Sequence, residues 1–418
     1  MPFDSIVFLL PVRVRRLSSF FKSAEPSPPF FAASITRLAN WKKAPMNFIF
    51  SEVIEHTYLI KCYLPFLELR HGGETAQSTN YLNIGGQNTS MKYQVDVGHV
   101  KKIQRSIWNN IKSTFSFRKG YGEPVPVYGH YGGIFKCGDE NLVIHTDGVG
   151  TKLLVAQSVG RYNTVGIDAV AMSVNDILCV GAEPLVGVDY IALAEEDDVL
   201  VGQIMEGLVK GAEESSCAIV GGETAIIPDI VKGGEKPFDL TFTAVGRIKK
   251  MILGNEIAKG DVMVGLESSG LHSNGYTLAR NALDSGEWGE EMLVPTRIYA
   301  NPLLETIDAC DVHGIAHITG GAFSKLTRLN KDVGYRLDNL PAPKPIFKAI
   351  QERVKSVKEM YRTFNMGIGM VVVLPEDRAG TLINIAKKHG IEADTIGKII
   401  EKKGVWMDYR GKEMNLSI

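Results

Sequence analysis

From Met91 onward, short apolar runs alternate with amphipathic stretches, and turn after turn between them combines glycine with a carboxylate, hydroxyl or imidazole. The order of strand, polar glycine turn and helix restricts the chain to layers of sheet and helix, with its chemistry gathered at strand ends. Strands are expected over 141–145 and 185–193, with a helix over 164–180 between them. A helix over 197–214 follows, with Asp197 and Asp198 in the first turn, where the helix dipole favours negative charge. Strands over 217–220 and 238–248 complete one α/β unit, and 249–259 is a polar connection. The second unit has strands over 261–266, 315–319, 366–374 and 393–399, and helices over 273–283, 323–329, 346–363 and 377–389.

A chain of 418 residues is too long for one core, so working domains are expected over 91–250 and 260–418. The first ninety residues differ in kind: Pro26, Pro28 and Pro29 break any period, and Arg13, Arg15, Arg16, Lys22, Arg37, Lys42 and Lys43 outweigh Asp4 and Glu25. A targeting peptide would explain the basic start but not the mixed charges of 51–80. The favoured expectation is that translation begins at Met91 and that 1–90 is an unstructured leader or spurious extension.

With 46 basic and 47 acidic residues the net charge is -1, which gives no long-range pull toward nucleic acid or an anionic membrane. The 5 cysteines are scattered without a CxxC pair, and no run approaches the length of a membrane span. A soluble, cytoplasmic protein with a small-molecule partner is therefore expected, with neither nucleic acid nor membrane as partner.

Thr146-Asp147-Gly148-Val149-Gly150-Thr151-Lys152 stands between an expected strand and helix, where exposed backbone N–H groups attract phosphate. Asp147 beside phosphate calls for a divalent cation between them. Asp176, in the apolar setting of Val174-Asn175-Asp176-Ile177, needs a partner when buried, and either a metal or a salt bridge would serve. Gly221-Gly222-Glu223-Thr224 repeats the plan of glycines and an acid after a strand, and Tyr128 to Gly133 is a glycine-rich segment that could cover phosphates. Ser268 to Gly275, with His272, Ser273 and Asn274, suits a sugar phosphate; His317, before Gly320-Gly321, could bind phosphate or move a proton. Neither a P-loop nor a full dinucleotide fingerprint occurs.

Taken in order, TDGVGTK, GIDAVAMSVNDI, GAEPL, VGGET, SSGLHSNGY, PTRIYANPLL, AHITGG and NMGIGM resemble the aminoimidazole ribonucleotide synthetase family, the phosphoribosylformylglycinamidine cyclo-ligases of purine biosynthesis. The resemblance covers 91–418. It implies an α+β fold of two domains: an N-terminal domain that pairs with its twin in a dimeric β-barrel, and a C-terminal mixed α/β domain. It also implies a homodimer that uses ATP and Mg²⁺ to close formylglycinamidine ribonucleotide to aminoimidazole ribonucleotide, releasing ADP and phosphate. By motif, Asp147 and Asp176 would hold Mg²⁺ and the ATP phosphates, with Lys152 and Asn175 beside them and Gly221, Gly222 and Glu223 along the nucleotide. His272, Ser273 and Asn274 would meet the ribonucleotide, and His317 would face the transferred phosphoryl group; Asp147, His272 and His317 are thus the expected catalytic set.

The chain departs from the family pattern after His317, where Gly320-Gly321-Ala322 leads into Phe323-Ser324-Lys325-Leu326 in place of a third glycine and an Asn-Pro-Arg-like run. The alternatives are a sister ATP-dependent activity, such as selenophosphate synthetase or thiamine-monophosphate kinase, and a non-catalytic nucleotide-binding dimer.

Overall fold

The computed structural model describes residues 97–417 except Tyr128; the expectations for 1–90 and for Tyr128 lie outside the described residues. The first half runs α1 (Val97–Lys112), β1 (Pro124–Val125), β2 (Gly133–Cys137), β3 (Glu140–Gly148), α2 (Leu153–Val159), α3 (Asn163–Leu178), β4 (Ala182–Leu193), α4 (Asp198–Ser215), β5 (Ala218–Ile226) and β6 (Phe238–Ile248). Alternation sets the face of the sheet: Phe238, Leu240, Phe242 and Ala244 of β6 turn inward, while Asp239, Thr241 and Thr243 do not. The inward face is covered by α3, which is buried along nearly its whole length. Glycines allow that depth: a Cβ on Gly166 would lie 2.3 Å from the carbonyl oxygen of Ile204, and one on Gly207 would lie 1.9 Å from that of Asn163. The backbones of α3 and α4 therefore touch where larger residues would force them apart.

The six strands follow the order β1-β2-β3-β6-β4-β5. They form an open sheet, and no sheet among the described residues closes into a barrel, so the expected N-terminal barrel is corrected. Closure would need β1 to reach β5, and β1 is only 2 residues long. A second correction concerns Gly221-Gly222-Glu223. These residues do not form a turn after a strand, because β5 continues through them to Ile226, pairing in parallel with β4.

The second half runs β7 (Asp261–Glu267), α5 (Tyr276–Ala282), α6 (Ser285–Met292), α7 (Ala300–Ala309), β8 (Gly314–His317), a 3₁₀ segment (Ala322–Arg328), β9 (Gly334–Leu337), α8 (Pro345–Val354), α9 (Val357–Thr363), β10 (Ile368–Pro375), α10 (Ala379–Lys388), β11 (Ala393–Ile400), β12 (Gly404–Tyr409) and β13 (Lys412–Asn415). Its 7 strands are ordered β13-β12-β9-β11-β7-β10-β8. The central strands β7 and β10 are apolar and buried on both faces, as their unbroken hydrophobic runs require. The helix expected over 346–363 is split in two, with Ser356 capping α9 through the N–H of Glu359. Helix α7, which sequence periodicity did not reveal, packs against α3 and α4 and so ties the two halves together.

Candidate functional site

A cleft of about 240 Å³ lies where the two halves meet, lined by Asp147, Gly148 and Gly150 from one and Ser273, Asn274 and Gly275 from the other. Thr146, Asp147 and Gly148, expected to follow a strand, are instead the last residues of β3, paired with β6, and the chain turns only beyond them, through a 3₁₀ turn at Gly150–Lys152 before α2. The Ser268 to Gly275 turn leaves β7 and enters α5, with His272 in the left-handed region at φ 62°. A non-glycine residue held there marks a backbone fixed by its surroundings.

Beside the cleft, Asp176 meets two histidines. His317 Nδ1 lies 2.8 Å from Asp176 Oδ1, and His145 Nε2 lies 3.4 Å from Asp176 Oδ2. Burial pushes the Asp176 carboxyl up, but the hydrogen bond and charge of His317, with Lys325 and His145 behind them, bring it below its ordinary value. Asp147 moves the other way: burial and the Asp176 charge raise it, against the N–H of Gly148 at 2.8 Å. Burial keeps the His317 imidazole below its ordinary pKa despite Asp176. The neutral ring therefore directs Nδ1–H at Asp176 and leaves Nε2 free to accept or take a proton.

His272 is arranged in the opposite sense. Its Nε2 accepts the N–H of Ser269 at 3.3 Å, so the proton of the neutral ring sits on Nδ1. Its ring lies 6.3 Å from that of His317. The close packing depends on Gly369 of β10, where a Cβ would fall 2.4 Å from His272 Cε1 and 2.0 Å from the Tyr299 hydroxyl. His272 Nδ1, His317 Nε2 and Asn274 Nδ2 are buried without a hydrogen-bond partner among the described residues. Unpaired buried polar atoms cost stability unless something binds there, and of these three residues Asn274 lines the cleft together with Asp147.

Two expected ligands are committed elsewhere. The Lys152 ammonium is enclosed by Asp168 Oδ2 at 2.7 Å, the Val294 carbonyl at 2.8 Å and the His272 carbonyl at 3.1 Å. Asn175 donates to the Arg297 carbonyl at 2.8 Å and accepts from the Tyr299 N–H at 3.1 Å. Both side chains join the halves of the molecule, and neither is free to turn toward the cleft. Ser273 is shared: it lines the cleft and donates to Asp168 Oδ1 at 2.9 Å.

Gly221, Gly222 and Glu223 lie on exposed β5, outside the cleft lining. They connect with it through register, because Asp147 pairs with Phe242, Phe242 with Asp189, and Asp189 with Gly222. A Cβ on Gly222 would meet Asp189 Oδ1 at 2.4 Å, so the two share a face. Asp189, raised by burial, was not singled out from the sequence, although an acid at an inward position between Gly187 and Ile191 is a readable signal. Asp168, His145 and Lys325 were also missed. Asp168 carries the same signal as Asp176, a carboxylate inside an apolar helix, whereas nothing local marks the other two.

The donor set fits a hard divalent cation: carboxylates at Asp147 and Asp176 repel one another beside the cleft, and a cation with phosphate oxygens would relieve that repulsion.

Residues 129–248 match the N-terminal domain of AIR synthase related proteins, and residues 258–409 match the C-terminal domain. The phosphoribosylformylglycinamidine cyclo-ligase of Methanocaldococcus jannaschii is 45% identical over 326 residues, covering 73% of this chain and 91% of that protein. The enzyme of the same name from Thermococcus kodakarensis is 43% identical over 330 residues, covering 76% of this chain and 97% of that protein. The chain belongs to the phosphoribosylformylglycinamidine cyclo-ligase family. The two-domain fold of these cyclo-ligases extends to more distant proteins. A thiamine monophosphate kinase from Aquifex aeolicus superposes with a TM-score of 0.53 at 16% identity, over 76% of this chain and 98% of that one. The hydrogenase maturation protein HypE in complex with ATP gives 0.53 at 18% identity, over 66% and 84%. At that identity the likeness is one of fold alone, whereas the cyclo-ligase relatives agree along the whole two-domain length.

Proposed function

We propose that the cleft is the place where this chain carries out its family's reaction, with Asp147, Asp176 and His317 at the phosphoryl group. The chain is an ATP-dependent ligase of purine biosynthesis, and it closes formylglycinamidine ribonucleotide to aminoimidazole ribonucleotide with release of ADP and phosphate. The sister activities are not favoured, since their likeness is distant.

The observation that carries the site assignment is the His317–Asp176 pair at 2.8 Å beside a cleft lined by both glycine turns. ATP places its terminal phosphate at the Asp147 turn. The formamide oxygen attacks that phosphorus, and the bond to the departing ADP oxygen breaks. The amidine nitrogen of the substrate then attacks the activated carbon and loses a proton as the C–O bond to phosphate breaks. Such chemistry asks the protein for position, charge neutralisation and a proton path. His317 Nε2 is placed for the proton, Ser273 and Asn274 for the ribonucleotide, and His272 Nδ1–H as a fixed donor. Asp147 and Asp176 would hold Mg²⁺, which when bound neutralises the phosphate charge. Gly221, Gly222 and Glu223 stand three strand spacings from Asp147, roughly 14 Å, and because the row between them passes through buried Phe242, their place along the nucleotide rests on the family motif. Lys152 and Asn175 support this wall from behind.

The quaternary assignment is a homodimer. On the outer sheet face Ile144, Val188 and Tyr190 are 43%, 39% and 38% exposed, an apolar surface that a second copy of the chain would cover. Work is assigned to 91–250 and 260–418, with 1–90 dispensable. Among the described residues no helix is long and apolar enough to cross a membrane; the proposed location is the cytoplasm, and the proposed partners include no nucleic acid.

A coupled assay with ATP, Mg²⁺ and formylglycinamidine ribonucleotide tests the reading. Formation of aminoimidazole ribonucleotide supports it, and a folded, ATP-binding protein that forms none would redirect the assignment to a sister activity.

A further inference from the structure

The 3₁₀ segment after His317 carries a cation to which the proposed reaction assigns no role. Lys325 lies on Ala322–Arg328, which Gly321 starts in the left-handed conformation at φ 84°. Its ammonium donates to Thr319 Oγ1 and stands 5.8 Å from the centroid of the buried Tyr131 ring, while the Arg328 guanidinium is 5.7 Å from the same ring. Tyr131 belongs to the glycine-rich segment and is 2% exposed, so the ring forms a fixed floor under both cations.

Lys325 forms no ion pair with a carboxylate among the described residues, yet its anchor sits in the reacting cluster: Thr319 donates its N–H to the His317 carbonyl at 3.0 Å, His317 lies 2.8 Å from Asp176, and a Cβ on the next residue, Gly320, would lie 3.0 Å from the cleft-lining Asn274 Oδ1. The Lys325 charge acts on Asp147, Asp176 and His317 in the same sense, lowering each. An ammonium held by a hydroxyl beside this cluster, and closed onto no carboxylate, is poised for an anion.

Resting on the proposed place of the ATP phosphates, we propose that Lys325 contacts the transferred phosphoryl group and neutralises it as it passes from ATP to the substrate oxygen. Thr319 and Tyr131 fix the direction of the ammonium, so the charge is in place before the phosphoryl group moves. Burial draws the lysine down to about 8, which leaves it charged at neutral pH.

The test compares the full chain with Lys325→Met and Lys325→Arg, measuring steady-state turnover and, by calorimetry, affinity for β,γ-methylene-ATP and for ADP. The expected result for the methionine variant is a fall in kcat of about 10²–10³-fold. Its preference for the ATP analogue over ADP should fall about tenfold or more, with affinity for ADP itself unchanged; the arginine variant should recover part of both. The binding comparison needs no acceptor, so it reads the lysine even if the acceptor assignment fails. Three outcomes would overturn the proposal: undiminished turnover in the methionine variant, equal loss of ADP and analogue affinity, or unfolding of both variants, which would make Lys325 a packing group.

Discussion

Lys152 Nζ and Asp168 Oδ2 lie 2.7 Å apart with neither side chain exposed, and together they join the Gly150–Lys152 turn of one half to the Ser268 to Gly275 turn of the other. Asp168 Oδ1 also accepts from the Thr296 N–H at 2.7 Å, from its hydroxyl at 2.6 Å and from Ser273. Removing one partner strands a buried charge, so Lys152→Met should cost about 3–5 kcal/mol in denaturant unfolding. The double variant Lys152→Met with Asp168→Leu should regain much of that. If the single variant unfolds like the parent, the pair does not brace the two halves.

Asp176→Asn keeps the shape of the side chain but removes the charge that Asp147 and His317 both feel. Mg²⁺-dependent turnover should drop at least a hundredfold, in the range seen when a fixed charge stabiliser is lost, while circular dichroism stays that of the parent. Full Mg²⁺-dependent turnover in this variant would remove Asp176 from the metal assignment.

Burial, followed by the charges of His317 and Lys152, holds His272 well below the ordinary histidine value. The unfolded chain therefore takes up this proton at higher pH than the folded protein does. Its contribution to stability is complete above the unfolded pKa of about 6.5 and declines as pH falls from there toward the folded value, by at most about 1.4 kcal/mol per pH unit. Urea unfolding between pH 8 and pH 5 should show that slope, and His272→Asn should flatten it. An unchanged slope would mean that other groups carry the acid sensitivity.

Gly369→Ala would place a methyl group 2.0 Å from the Tyr299 hydroxyl, which is already bonded to the Glu267 carbonyl, and 2.4 Å from His272. A loss of roughly 1–3 kcal/mol is expected, with a lower kcat because His272 must move. Gly380→Ala, at an exposed position of helix α10 with nothing within 4 Å, is the control and should gain roughly 0.4–1 kcal/mol. Equal effects from the two would contradict the packing argument.

Thiol chemistry gives an independent check on burial. Cys217 is pushed up to about 11, and burial also raises Cys179 and Cys310, while Cys137 is partly exposed. Among these four cysteines of the described residues, Cys137 should be modified first by iodoacetamide at pH 7.5, as read by peptide mass mapping. Rapid labelling of Cys217 or Cys179 in folded protein would show that the sheet and helix layers open.

The alternation of strands and helices was legible in the sequence, as were Asp147, Ser273 and Asn274 as polar residues near glycines, which the fold brings to one cleft, because each depends on local spacing and residue type. Strands over 238–248 and 393–399 were expected nearly as they stand, since period and turn residues are local properties. The partner of Asp176 was not legible: His317 is 141 positions away, and only the packing of α3 against β8 joins them. For the same reason Lys152 and Asn175 read as ligands until their acceptors, 120 to 142 positions later, enclosed them. The glycines of β5 resembled a turn because Gly222 makes way for Asp189, a neighbour that exists only across the strand pairing. Sequence alone determined which residues can do chemistry at a strand end. Tertiary structure decided which of them are left unpaired to do it, because a buried charge or amide is bound by whichever partner the fold brings within about 3 Å.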